Sequence, residues 1–227
     1  MLERPNISYI STVDACVRVR IESLDAEEIK LNAPELGLSA RCSLYPDSGS
    51  MNASVPDRLS LLKGAVEVAE RYAVGMGYRA LGLSVTTKND DAFSTNVSPY
   101  GKVTKSGLGS SAAVVVAAVA GVLHAIGAEA GREQVHKLAQ IAHSLATGKV
   151  GSGFDVAAAT YGSIVYTRYS PSIIKALPYG YSNDELVSLV NSVWDYNVET
   201  LSMPKRFRLA FANFLGGSNC WAVVMEL

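Results

Sequence analysis

Cysteine and histidine are scarce in this chain, and charge of either sign is not in excess. Cys16, Cys42 and Cys220 are odd in number, far apart and unlike any metal or redox spacing, which argues against a disulfide framework or a thiolate metal site. Of the 3 histidines, His136 and His143 stand seven apart on one predicted helix face, with no second ligand at metal spacing. They read as surface or boundary residues, and His124, closing an apolar stretch, reads as a satisfied core histidine. Twenty Lys plus Arg oppose 21 Asp plus Glu, a net charge of -1, so no bulk field favours nucleic acid or an anionic membrane, and any phosphate recognition must be local. Tyr161, Tyr166 and Tyr169 lack the spacing of a base-stacking platform. The longest apolar run, Ala112 to Leu123, falls short of the ~20 residues that span a bilayer. The opening Met-Leu-Glu-Arg-Pro-Asn has no secretory pattern. The expectation is a cytoplasmic protein with no nucleic-acid or membrane partner.

What the chain does have is 48% hydrophobic residues, enough for one good core. Apolar residues alternate over Val13 to Ile21, and weaker strand patterns cover Ile29 to Leu31, Leu38 to Leu44 and Ala80 to Thr86. Between them, Arg58 to Gly75 is predicted helical, with Leu62, Val66, Ala69 and Ala73 at helical spacing. Lys88 to Ser106 is polar and aperiodic, a predicted loop of functional length. Ser110 to Ile126 is apolar on nearly every face, a helix for the domain centre, and Arg132 to Ala146 is a third helix with Val135, Leu138, Ala142 and Leu145 on one side. A short helix over Asp155 to Ala159 and a strand over Ser163 to Arg168 follow. Asp184 to Val193 reads as helix, and Arg206 to Leu215 and Trp221 to Leu227 as strands. The class is α+β.

Two segments can carry chemistry. Lys105-Ser-Gly-Leu-Gly-Ser-Ser-Ala-Ala113 is a glycine-serine turn running into the apolar helix. Such a turn offers consecutive backbone N–H groups at the positive end of a helix dipole. Gly107 and Gly109 permit close approach, Ser110 and Ser111 add hydroxyls for phosphate or magnesium, and Lys105 adds a charge. The plainer reading makes Ser110 an N-cap. A P-loop is excluded, because Gly101-Lys102 and Gly148-Lys149 both precede valine. The loose dinucleotide pattern Gly107-x-Gly109-x-x-Ala112 follows no strand, and Glu129 is at no strand end, so that reading is remote. The second segment, Gly148-Lys-Val-Gly-Ser-Gly-Phe-Asp155, brings a lysine and an aspartate to a turn before a helix. Asp155 suits a general base and Lys149 a phosphate clamp in phosphoryl transfer. The plainer alternative has Asp155 or Ser152 capping that helix and Lys149 as an ordinary cation past a helix end.

Gly-Leu-Gly-Ser-Ser-Ala resembles the ATP-binding motif of the galactokinase, homoserine kinase, mevalonate kinase and phosphomevalonate kinase (GHMP) superfamily. Val103-Thr-Lys-Ser-Gly107, His143-Ser-Leu-Ala-Thr-Gly-Lys-Val-Gly-Ser-Gly-Phe-Asp-Val156 with Tyr161-Gly-Ser163, Trp194-Asp195 and Phe214-Leu-Gly-Gly-Ser218 look most like the eukaryotic phosphomevalonate kinases; Leu2-Glu-Arg-Pro-Asn6 is similar to the segment after their first motif. The resemblance implies ATP- and Mg2+-dependent phosphorylation of (R)-5-phosphomevalonate to (R)-5-diphosphomevalonate in isoprenoid and sterol synthesis. The alternatives are a mevalonate kinase-like enzyme or a non-catalytic remnant. It implies that Gly107, Leu108, Gly109, Ser110 and Ser111 hold the ATP phosphates, with Ser111 on magnesium and Lys105 among the phosphates. Lys149 and Ser152 would meet the acceptor, and Asp155 would orient or deprotonate it. The implied fold is a two-domain α+β GHMP kinase, with an ATP-binding N-terminal domain over residues 1–170, nearly complete but for its first Pro-Gly-Lys strand, and a truncated C-terminal domain beginning at 171–227. The expectation is then a poor catalyst when this chain stands alone.

Overall fold

Alternation of apolar and polar side chains builds the main sheet. The computed structural model describes residues 6–95, 104–105 and 108–202. In chain order the elements are β1 (Ile7–Ile10), β2 (Val17–Ser23), β3 (Glu28–Ala33), β4 (Leu38–Tyr45), β5 (Ser50–Asn52), α1 (Ser60–Gly75), β6 (Leu83–Asn89), β7 (Ser94–Thr95) and β8 (Thr104–Lys105). They continue as α2 (Ser110–Ile126), α3 (Arg132–Thr147), α4 (Phe154–Tyr161), β9 (Ile164–Thr167), α5 (Ser172–Lys175), α6 (Asn183–Asn191) and β10 (Asn197–Thr200). Five strands in the order β2-β6-β3-β4-β5 form a mixed sheet whose one parallel pair is β3 with β6. Ile29, Leu31 and Ala33 of β3 and Leu83 and Val85 of β6 turn one face to the core. That face is covered by helices. Leu62, Val66, Ala69 and Ala73 of α1 and Val115, Val119 and Val122 of α2 share that core, and Leu138, Ile141 and Ala142 of α3 join it with α3 packed on α1 and α2. A Cβ on Gly121 of α2 would stand 2.7 Å from Ile21 Cδ1, which measures how close α2 lies to β2. Leu186 and Val190 of α6, with Trp194, join the same core. A second, antiparallel sheet in the order β1-β9-β10 packs Ile164 and Tyr166 against Ala157 of α4.

The helices follow the expected spans closely, whereas several strand ends and burial assignments differ. β2 starts at Val17 and not at Val13, because its partner β6 ends at Asn89 and the Cys16 N–H donates to the Asp90 carboxylate at 2.8 Å. β6 starts at Leu83 because the preceding Gly82 is pressed against Ala26, its carbonyl accepting from the Leu24 N–H at 2.8 Å. The expected Lys88 to Ser106 loop contains the end of β6 and the paired β7 and β8. The predicted strands at Arg206 to Leu215 and Trp221 to Leu227 lie outside the described residues. His136 is fully buried and His124 exposed, the reverse of expectation, and Leu145 is exposed while Leu138 and Ala142 are buried. The cause is that α3 is covered on two sides, by α1 and by α4 with its sheet. His136 sits among the rings of Tyr161, Tyr166 and Tyr196, with centroids 5.2, 6.0 and 4.9 Å away. Burial there, with the nearby Lys137 charge, lowers its pKa to about 3.

Glu70 of α1 is the other buried ionisable group of note. It is 0% exposed, accepts from the Leu81 N–H at 3.3 Å through one oxygen, and has no partner for the other among the described residues. Burial raises its pKa to about 8, only partly opposed by the Leu81 hydrogen bond. At neutral pH the Glu70 carboxyl is therefore mostly protonated.

Candidate functional site at two helix N-termini

Both sequence segments end at helix starts, and the fold brings those starts together. Gly109 is the N-cap of α2 in left-handed backbone (φ 76), and Gly153 is the N-cap of α4 in the same conformation (φ 72). Being glycines, neither cap residue has a side chain that could accept from its helix. The plainer readings are thereby corrected: Ser110 and Ser111 lie inside the first turn of α2, and Ser152 and Asp155 flank the α4 cap without being it. A Cβ built on Gly109 would lie 3.6 Å from the Cβ of Asp155, so the glycine-serine turn and the aspartate meet in space. The fold thus joins residues 46 positions apart, 109 and 155.

Each segment presents donors to that meeting point. The first N–H groups of a helix have no intrahelical acceptor, so Ser110 and Ser111 offer backbone N–H as well as hydroxyls at the positive end of α2. Leu108 precedes the cap and is half-buried. Behind them Arg58, Glu35, Thr87, Asn89, Ser110 and Ser111 line part of a cavity of about 70 Å3. Thr87 Oγ1 donates to Glu35 Oε1 at 2.9 Å on its wall. On the α4 side, Asp155 Oδ1 accepts from the Val156 N–H at 2.9 Å, which fixes the carboxylate over its own helix start. Lys149 is exposed just past the Gly148 C-cap of α3, and Ser152 is half-buried in the turn. Lys105 lies on β8, opposite Ser94 of β7, and Gly107 lies outside the described residues. The side chains at the junction that could ligate a metal, those of Ser110, Ser111, Ser152 and Asp155, offer oxygens, the set preferred by a hard cation such as magnesium. No cluster of three His, Cys, Asp or Glu stands among the described residues. A magnesium ion here would take most of its ligands from phosphate and water, and the two helix N-termini fit such an anion.

Three buried residues that sequence reasoning passed over hold the second turn. Gln140 Nε2 donates to the Gly153 carbonyl at 2.7 Å, and Tyr169 Oη donates to Gln140 Oε1 at 3.3 Å. The Arg168 guanidinium donates to the carbonyls of Val150 at 3.3 Å and Gly151 at 2.5 Å. Burial raises the Tyr169 phenol, the Arg168 charge opposes that rise, and Asp155 adds to it. The periodicity of α3 carries no signal for Gln140, and Arg168 and Tyr169 follow a four-residue strand.

Residues 60–163 match the family model for the GHMP kinases N terminal domain. The chain carries a GHMP kinase N-terminal domain. The matched span contains α1, β6, α2, α3 and α4, hence both turns. The chain is related to phosphomevalonate kinases. It is 40% identical over 139 residues to that of Gibberella zeae, covering 54% of this chain and 31% of the relative. It is 40% identical over 126 residues to that of Candida albicans, covering 52% and 29%. The chain thus spans under a third of the length of these relatives. Its fold matches Streptococcus pneumoniae phosphomevalonate kinase in complex with phosphomevalonate and AMPPNP, with a TM-score of 0.68 at 19% identity over 88% of this chain and 52% of that one. Among the described residues no helix is long and apolar enough to cross a membrane.

Proposed function

We propose that this chain is the ATP-binding part of a phosphomevalonate kinase, which transfers the γ-phosphoryl group of ATP to (R)-5-phosphomevalonate with magnesium. The observation that carries the reading is the junction of Gly109 with Asp155, because phosphoryl transfer needs a phosphate cradle and an acceptor-side carboxylate within one site. Names of the relatives support the acceptor, and the Streptococcus pneumoniae complex supports a pairing of phosphomevalonate with an ATP analogue. In this reading Ser110, Ser111 and the α2 N-terminus hold the ATP phosphates, with Gly107, Leu108 and Lys105 contributing to the cradle. Ser111 contributes a hydroxyl to magnesium, which supplies charge neutralisation on the phosphates when bound. Lys149 and Ser152 bind the acceptor. Asp155 aligns the attacking oxygen, which forms its bond to the γ-phosphorus as the bond to ADP breaks. That acceptor phosphate is already ionised at neutral pH, so positioning and charge neutralisation outweigh base catalysis. The ATP-binding domain extends past the boundary expected at 170, because α6 and Trp194 join its core and β10 pairs with β9, and the reading places it in a cytoplasmic protein.

ADP release with ATP and magnesium, compared between 5-phosphomevalonate and mevalonate, tests the acceptor. Release at least ~10-fold faster with the phosphorylated acceptor is expected, since a Lys149 clamp acts on a phosphate that mevalonate lacks. Equal or faster release with mevalonate would contradict the assignment.

A further inference from the structure

The turn from Lys149 to Gly153 has no regular secondary structure, yet most of its carbonyls are held from inside the protein. Ser144 Oγ donates to the Lys149 carbonyl at 3.1 Å, Arg168 takes those of Val150 and Gly151, and Gln140 takes that of Gly153. Gln140 and Arg168 are 3% and 5% exposed. A peptide unit whose carbonyl points inward directs the N–H of the next residue the opposite way. The N–H groups of Gly151, Ser152, Gly153, Phe154 and Asp155 meet no acceptor among the described residues. The turn is therefore polarised, carbonyls in and donors out, by side chains that do not themselves reach its outer face.

Gln140 is the member that couples this polarity to α4. The carbonyl it holds also accepts from the Ala157 N–H at 3.0 Å, the first hydrogen bond of that helix. The fit is tight, because a Cβ on Gly153 would come within 2.5 Å of Gln140 Oε1. Tyr169 fixes which end of the amide faces Gly153, since its hydroxyl donates to the amide oxygen and leaves the NH2 for the carbonyl. We infer that Gln140, oriented by Tyr169 and seconded by Arg168, is a positioning residue that aims the α4 N-terminus and Asp155 at the glycine-serine cradle. The inference rests on the kinase reading above.

Gln140→Glu is the decisive variant, since it keeps the shape and places an oxygen where the Gly153 carbonyl needs a donor. Turnover with ATP and 5-phosphomevalonate is expected to fall about 30-fold while KM for ATP moves less than about twofold, as befits a group acting through the acceptor-side helix. Tyr169→Phe, which leaves the amide in place but free to flip, is expected to cost about threefold in kcat. The measurement that separates positioning from plain stability is the double variant with Asp155→Asn. If Gln140 acts through Asp155, Gln140→Glu in that background lowers the residual rate less than about threefold. Independent multiplication of the two losses, or a loss that tracks the melting midpoint alone, would overturn the inference while leaving the kinase reading intact. A wild-type chain that releases no ADP with either acceptor would overturn the kinase reading and this inference together.

Discussion

Asp155→Asn is expected to lower phosphoryl transfer by at least ~100-fold with little change in ATP binding. The substitution preserves volume and keeps an oxygen that can accept from the Val156 N–H, so α4 and its Gly153 cap have no reason to move. What it removes is a charge beside Gly109, where α2 begins. If the carboxylate aligns the acceptor, the loss falls on kcat, because in the proposed reading the phosphates of ATP are held by the backbone and hydroxyls of Ser110 and Ser111. Steady-state ADP release, with calorimetric titration of ATP on the same variant, checks both halves. An unchanged kcat would remove Asp155 from the chemistry.

The second large effect is on stability and comes from Glu70. Its folded pKa of about 8 lies above its ordinary 4.5, so the folded state holds this proton more tightly than the unfolded chain does. The contribution is whole below the unfolded value and is lost as pH rises through the folded one, between about 4.5 and about 8. His136 runs the other way. Its pKa, lowered to about 3 from 6.5, means stability present above 6.5 and lost as pH falls toward 3. The two slopes oppose between 4.5 and 6.5, and only Glu70's acts from 6.5 to 8. Glu70→Gln is therefore expected to flatten the alkaline limb, its stability relative to the wild type rising by on the order of 3 kcal/mol from pH 5 to pH 8. Denaturant unfolding of both proteins across pH 5 to 9 checks it, and parallel curves would contradict it.

The legible parts of this fold are those whose signal is local. The apolar run Ala112 to Leu123 lies within α2, whose observed span is the predicted one, and the Leu62, Val66, Ala69, Ala73 stripe marks the buried side of α1. β1 and β10 went unread because four residues such as Ile7-Ser8-Tyr9-Ile10 are too few to show a period, and both exist through pairing with β9. Seven-residue spacing placed His136 and His143 on one face but could not say which face is buried. That is decided by tertiary packing, since the rings of Tyr161, Tyr166 and Tyr196 close over His136. For the site, glycines and serines beside an apolar helix announced a cradle, since backbone N–H groups and hydroxyls at a helix start can hold a phosphate locally in a nearly neutral chain. The contact of Gly109 with Asp155, and the buried support from Gln140, Arg168 and Tyr169, are tertiary, and no spacing in the sequence encodes them.

The central claim is that the turns before α2 and α4 form one nucleotide-dependent site. Its most direct measurement is thermal unfolding of this chain with magnesium and ATP, without and with 5-phosphomevalonate, for the wild type and Ser111→Ala. Ligand at 100 times Kd adds ~2.7 kcal/mol to a folded state that alone binds it. The account predicts a midpoint raised by ATP, raised further by the acceptor, and a smaller ATP response in Ser111→Ala. A well-folded wild type whose midpoint moves with neither ligand would contradict it.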